Sequence, residues 1–345
     1  MSERSAAARA RGLALALAVG GLLGGLWSGS AAAQDAKSFT MKLGSLTVND
    51  EVHQWMKIYT AGVEKKSGGR IKTEIYTSGQ LGNAARMIEG TQFGSIQLIA
   101  FPPDFFSGVD ERFEVGSAPG TFKSVDHVNR VVFDPAFRKA FLALGANKGL
   151  IGTALFVNAP VTMLTRKPVR HLADFKGLKI RILASDFQME QIKRLEATPV
   201  AMSLGDVSAA LQQGTIDGAL ASVPAFTPLH FYDAAKYMTE TGQYFVLIVA
   251  EMSKKWFDTL PGDLQKIVLE EGESASHEIV AWQAQDMDNQ RKTWLEHGGE
   301  LYQLPASEQA ELMKRMSTIA DDVGTRRPAI KEMYDQLKAA VQRNP

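Results

Sequence analysis

Cysteine is absent from all 345 residues. That removes disulfide bridges, thiolate nucleophiles and thiolate-held metals at once. Charge of one sign is missing too: 38 Lys and Arg balance 38 Asp and Glu. Nothing in that balance points to nucleic acid or to an anionic membrane surface. Histidine is scarce and scattered, at His53, His127, His171, His230, His277 and His297. No HxH or HxxxH spacing joins any two of them, so a histidine metal site is not expected. Also lacking are a Gly-x-Ser-x-Gly elbow, a Walker-type phosphate loop and a GxGxxG turn ahead of a helix. No catalytic constellation remains, and the chain reads as a non-enzyme without a cofactor.

What is present begins with an export signal. Arg4, Arg9 and Arg11 precede an uncharged apolar stretch from Gly12 to Trp27, followed by Ala31, Ala32 and Ala33. Positive start, apolar centre and small-residue end are the three parts of a secretory signal peptide. The stretch is short and glycine-rich for a membrane span. Residues 1–33 are therefore expected to be cleaved, with the mature protein delivered to the periplasm. Their removal takes away three Arg and one Glu, which leaves the charge near balance. A mature chain of this length is expected to form two lobes. Its 45% hydrophobic and 22% charged residues describe an ordinary globular protein.

Strand-like and helix-like segments then alternate. Phe39 to Leu46 and Ile71 to Tyr76 read as strands. Between them Val52, Met56, Tyr59 and Val63 form an amphipathic stripe, with Asn49 or Asp50 as candidate cap and Ser67-Gly68-Gly69 as stop. A helix from about Asn83 to Phe93 leads to a strand over Ile96 to Ala100, which the prolines at 102 and 103 end. Further strands are expected at 150–156, 162–165, 178–183, 216–221 and 245–250, with helices at 186–195 and 206–213. This rhythm predicts an α/β fold with a parallel or mixed sheet. From Pro261 to about His297 the pattern is helical without a breaker, long enough to cross between lobes or to kink near Gly272.

The segment from Asp174 to Arg181 carries the most chemistry. A short polar turn launches a strand on which Ile180 points into the sheet. Arg181 then emerges near the strand's carboxyl end, where open α/β sheets bind ligands. A guanidinium grips a carboxylate through two parallel hydrogen bonds. From spacing alone a surface arginine is the better reading, since surface arginines are common.

Several stretches, taken in order, resemble the solute receptors of tripartite ATP-independent periplasmic (TRAP) transporters, the DctP family. They are Tyr76 to Gly82, Leu178 to Arg181, Pro199 to Met202, Ala209 to Gly218 and Leu260 to Gln265. The likeness covers nearly the whole mature chain. It implies a two-lobed, type II-like periplasmic-binding-protein clamshell with a long helix linking the lobes. The first lobe is expected over 34–156 and 244–283, the second over 157–243 and 284–345. It also implies a small organic anion as ligand and membrane permease subunits of the transporter as partners. A periplasmic ligand sensor is the alternative use of the same clamshell.

In the family, the arginine at the position of Arg181 binds the ligand carboxylate. Elsewhere this sequence departs from the family's sugar-acid binders: their polar contacts fall at Pro102, Val161, Ala184, Leu220 and Ala221. Each lost hydrogen bond to a buried polar group costs about 1–3 kcal/mol. A monocarboxylate with an apolar or aromatic body is therefore expected. Phe101 and Tyr244 are candidate walls, Ala221 a lining residue, and Asn158 and Gln243 neutral hydrogen-bonding candidates. Phe226 reads as core.

Overall fold

Residues 38–345 are described by the structure, a computed structural model; the leader expected over 1–33 lies outside them. The chain first lays down β1 (Phe39–Gly44), β2 (Ile71–Tyr76), β3 (Leu98–Phe101) and β4 (Leu150–Pro160). It then crosses to β5 (Thr162–Thr165), β6 (Lys179–Ile182), β7 (Thr198–Ala201), β8 (Gly218–Ala221) and β9 (Tyr237–Glu240). A return strand, β10 (Phe245–Ser253), rejoins the first set, and β11 (Glu300–Gln303) the second. Two mixed sheets result, ordered β2-β1-β3-β10-β4 and β11-β9-β5-β8-β6-β7. Strand β10 runs antiparallel between β3 and β4, while β6 lies parallel to both β7 and β8. This is the expected α/β class, with one sheet per lobe.

Local signals set the elements. Asp50 caps the helix Glu51–Lys66 by accepting the His53 N–H at 3.0 Å. After its end, Gly68 and Gly69 turn the chain at φ of 62° and 76°, where a side chain would be strained. The expected stripe of Val52, Met56, Tyr59 and Val63 is buried. Beside it, Trp55 stacks on Tyr59 and on Phe156 of β4, with ring centroids 4.9 and 5.5 Å apart. Three short strands, β7, β9 and β11, escaped the sequence pattern; β7 and β11 are the two edges of their sheet, with exposed ends and no buried apolar run to mark them.

Three segments cross between the sheets. Strand β4 keeps its ladder with β10 as far as Pro160 opposite Phe245, so the first crossing falls at Val161 rather than after residue 156. There the Val161 N–H donates to the Tyr244 carbonyl at 3.0 Å, and the Gly242 N–H to the Val161 carbonyl at 3.1 Å. The third crossing is the helix Gly262–Glu296, continuous over 35 residues. Its Leu264, Val268, Ala275 and Ile279 pack with the first sheet, and its Met287 and Trp294 with the second. Gly272 marks close packing, not a kink: a Cβ there would meet the Thr153 carbonyl oxygen at 2.4 Å. The C-terminal helix Pro328–Arg343, expected with the second lobe, packs on Glu111–Ser117 and on the helices Val125–Val132 and Pro135–Leu142. Those three elements lie between β3 and β4, so the chain ends against the first lobe.

One residue of the first sheet runs against the burial rule. Glu251 of β10 is fully buried between β3 and β4, and neither carboxyl oxygen has a hydrogen-bond partner. Burial alone pushes its pKa well above the usual range, so it is held as the neutral acid. A group raised in the folded state stabilises below the unfolded pKa, and that contribution is lost as pH rises through the folded value. Glu251→Met keeps the volume and removes the unmet polar atoms. It is expected to raise the unfolding free energy in urea at pH 7 by about 1–3 kcal/mol and to flatten the decline with rising pH. A destabilised variant would reveal a partner for the carboxyl.

Candidate functional site

Strand β6 reads Lys-Ile-Arg-Ile, with Lys179 exposed and the other three buried. Alternation sends Ile180 and Ile182 into the apolar core and Arg181 to the opposite face. Arg181 is only 2% exposed. Its Nε donates to the Met202 carbonyl at 2.9 Å and its Nη1 to the Leu220 carbonyl at 3.4 Å, while Nη2 has no partner. Among the described residues no carboxylate forms an ion pair with it. Burial lowers its pKa to about 10, partly offset by Tyr244, so the side chain keeps its charge at neutral pH.

The guanidinium faces an internal cavity of about 60 Å³ between the two sheets. Of the expected site residues, Phe101, Asn158, Ala221 and Tyr244 line it together with Arg181, as do Pro102 and Leu220. Gln243 does not. It lies next to Tyr244 on the return crossing, where the chain bends ahead of β10. Its side chain is buried away from the cavity without a hydrogen bond, and its carbonyl accepts the Gly120 N–H at 2.8 Å. Val161 and Ala184 are likewise outside: Val161 serves the crossing, and the Ala184 carbonyl accepts the Ser107 hydroxyl at 3.2 Å. Phe226 is core, its ring edge-on to Phe231 at 5.3 Å.

The walls are less apolar than the sequence led us to expect. Asp50, Asp104 and Gln188 also line the cavity. Asp104 follows the two prolines after β3, and Ser117 donates to its Oδ1 at 2.6 Å. Burial pushes its pKa up to about 6 against the pull of Ser117, Ser185 and Gln188. Asp50 also rises to about 6 through burial. The only sequence signal for Asp50 was its capping position, and for Asp104 there was none. The hydroxyl of Tyr244 stays protonated, because burial and the Asp104 carboxylate outweigh the nearby Arg181.

Asn158 is positioned by a buried chain that links both lobes. Its Nδ2 donates to Glu51 Oε2 at 2.8 Å, and its Oδ1 accepts the Ser222 hydroxyl at 2.6 Å. From the long helix, Gln283 donates to the main-chain carbonyls of Val157 and Asn158 at 2.8 and 2.6 Å. Burial raises the Glu51 pKa well above normal, helped by Asp50 and Asp286. Asn158 is thus first a tie between first-lobe helix and second-lobe strand. No group of acidic and histidine residues able to hold a metal ion occurs among the described residues. No helix among them is long and apolar enough to cross a membrane.

Comparison with known proteins places this geometry. The family model described as bacterial extracellular solute-binding protein, family 7 (DctP), matches residues 44–326. The C4-dicarboxylate-binding periplasmic protein DctP of Rhodobacter capsulatus is 27% identical over 281 residues, 80% of this chain and 83% of that protein. The uncharacterized protein YiiZ of Salmonella typhimurium is 29% identical over 207 residues; the match takes in 60% of this chain and 63% of that one, under two thirds of its length. Among solved structures, the sugar acid binding protein DctPAm of Advenella mimigardefordensis, in complex with galactonate, superposes with a TM-score of 0.84 at 21% identity. That match covers 90% of this chain and 99% of the other. A TRAP periplasmic solute binding protein from Desulfovibrio salexigens with bound orotic acid gives 0.80 at 22%, covering 88% and 100%. At these identities the two structures establish the shared fold.

Asn158→Ala would strand Glu51 Oε2 and the Ser222 hydroxyl inside the protein. Urea denaturation is expected to show a loss of about 1–3 kcal/mol. Adding Ser222→Ala should cost little more, since its bond is already gone. Additive losses would mean that the two side chains do not act through one another.

Proposed function

The chain belongs to family 7 of the bacterial extracellular solute-binding proteins, the DctP family, and on that premise we propose that it is a periplasmic TRAP receptor which grips a small organic acid through Arg181. It binds and releases its solute unchanged, as members of a binding-protein family do, and hands it to the membrane permease subunits. The observation that carries the site is a guanidinium buried between two sheets with one nitrogen unbonded and, among the described residues, no carboxylate in an ion pair with it. A charge buried in that way is costly until a partner arrives. The ligand carboxylate is that partner, and because it contacts both lobes only when they are together, binding favours the closed arrangement.

The finer reading is a monocarboxylate with an apolar body. Among the described residues Arg181 is the one cation lining the cavity, while Asp50 and Asp104 line it too. A second carboxylate would therefore face carboxyls rather than a base, and like charges enclosed together are strongly unfavourable. Phe101, Leu204, Leu220 and Leu247 supply apolar wall. The closed cavity of about 60 Å³ is well below the roughly 150 Å³ that takes up benzene in an engineered core. A compact acid fits the closed state, and an aromatic one requires the lobes to rest further apart. No observation favours the sensing role over delivery.

A thermal-shift screen over organic acids, followed by isothermal titration, tests this. Arg181→Met is expected to weaken binding of the best acid by about 2–5 kcal/mol, which is roughly 30-fold or more. Its fold should survive, because no acidic partner is left stranded. Succinate should bind more weakly than propionate or butyrate. An unchanged dissociation constant in the Met variant would remove Arg181 from the site, and a preference for succinate would overturn the monocarboxylate reading.

A further inference from the structure

The cavity that presents Arg181 also encloses an acid whose charge nothing balances. Asp104 stands on the short turn Pro103–Phe106 directly after β3 and is only 4% exposed. The groups that donate to its carboxyl are neutral, and the nearby acid, Glu114, is of the same sign. Ser117 donates to Oδ1 at 2.6 Å, and the hydroxyl of Ser185 lies 3.3 Å from that of Ser117. Among the described residues no Lys, Arg or His forms an ion pair with Asp104. Arg327, which reaches the neighbouring Glu114, is taken by Glu111 and by Asp186. Arg181 is occupied with the carbonyls of Met202 and Leu220, and Tyr244 lies within the field of both charges.

The other acids of this region have employment inside the protein. Asp50 is spent as a helix cap on the His53 N–H, and Glu51 accepts from Asn158. Asp50 and Glu51 stand at the positive end of the helix Glu51–Lys66, whereas Asp104, on a short turn, has hydroxyl donors that satisfy its geometry without cancelling its charge. With a pKa pushed up to about 6 by burial, it remains mostly ionised at pH 7. A solute with a carboxylate alone would neutralise Arg181 and leave that second charge enclosed, which is expensive in a closed, largely apolar space.

We propose that the solute is a zwitterion, an amino acid in the broad sense, whose carboxylate pairs with Arg181 and whose ammonium group pairs with Asp104. This rests on the reading of Arg181 as the carboxylate anchor. It makes Asp104 a specificity-determining residue: the guanidinium admits acids, and the opposite carboxylate selects those that carry a positive donor. Ligand and cavity then meet as two complementary ion pairs, and closure leaves no net charge between Arg181, Asp104 and the solute. A second carboxylate is rejected by the same residue.

The test compares matched acids on the full-length protein by isothermal titration: alanine, β-alanine, 4-aminobutyrate and valine against propionate, butyrate and isovalerate, with lactate as the hydroxyl control. At least one aminated member is expected to bind at least tenfold more tightly than its deaminated partner and than lactate. Asp104→Asn keeps the shape and the Ser117 contact. It should lower affinity for that member at least tenfold while tightening the binding of the deaminated acids, which no longer enclose an unpaired carboxylate. Equal losses for both classes in Asp104→Asn would show a purely structural carboxyl and overturn the proposal, as would a wild-type preference for lactate or binding by no aminated acid. Binding of acids that survives unaltered in Arg181→Met would instead defeat the anchor itself, so the two failures are separable.

Discussion

A guanidinium held between two sheets, bonded only to main-chain carbonyls, leaves its charge to be met from outside the chain. The fold produces this situation through β6, β7 and β8, which run parallel and end side by side. Carbonyls beyond the last ladder bonds of such strands point outward without partners, and ligands of open α/β sheets sit there for that reason. Met202, just past β7, and Leu220, in β8, offer two of these carbonyls to Arg181. They fix the direction of the side chain without cancelling its charge. A neighbouring glutamate would have made the same arginine an internal ion pair with nothing left for a solute.

The opposite wall is of the other sign. Asp50 and Glu51 at the start of the first helix, and Asp104 after β3, come from the first lobe, whereas Arg181 comes from the second. Burial takes water from these acids, and the raised pKa values of Asp50, Glu51 and Asp104 record the penalty. On the proposed reading, shutting without the correct solute would enclose charge and shutting on it would relieve charge, since a ligand shifts such an equilibrium only by its differential interaction with the two states.

The crossings make the movement and the site one construction. Val161 bonds to Gly242 and Tyr244 across the two strand crossings, and Tyr244 then turns its ring into the cavity. Gln283 of the long helix holds the carbonyls at Val157 and Asn158, while Asn158 ties Glu51 to Ser222. Residues that define the connection between lobes thus also floor the binding space, so rotation about them carries cavity geometry with it.

Much of this was legible one residue at a time. The stripe Val52, Met56, Tyr59 and Val63, the glycine stop behind it and the uninterrupted helix from Pro261 follow from periodicity and backbone preference, which act over a few neighbours. Arg181 could be singled out because a base at the end of a short strand has a definite chemical use, and the ordered family motifs then gave it a role. What local pattern could not report is which side chains meet across the gap between lobes. Asp104 lies in a proline turn with no motif of its own, and it becomes part of the cavity only because β3 and β6, from different sheets, are brought face to face. Gln243 looked as suitable as Tyr244, yet of the two only Tyr244 lines the cavity. The type of most elements and the choice of Arg181 as candidate were thus determined by the sequence alone. The sign of the charge opposite that arginine was decided only by tertiary packing, because burial and pairing depend on contacts between residues far apart along the chain.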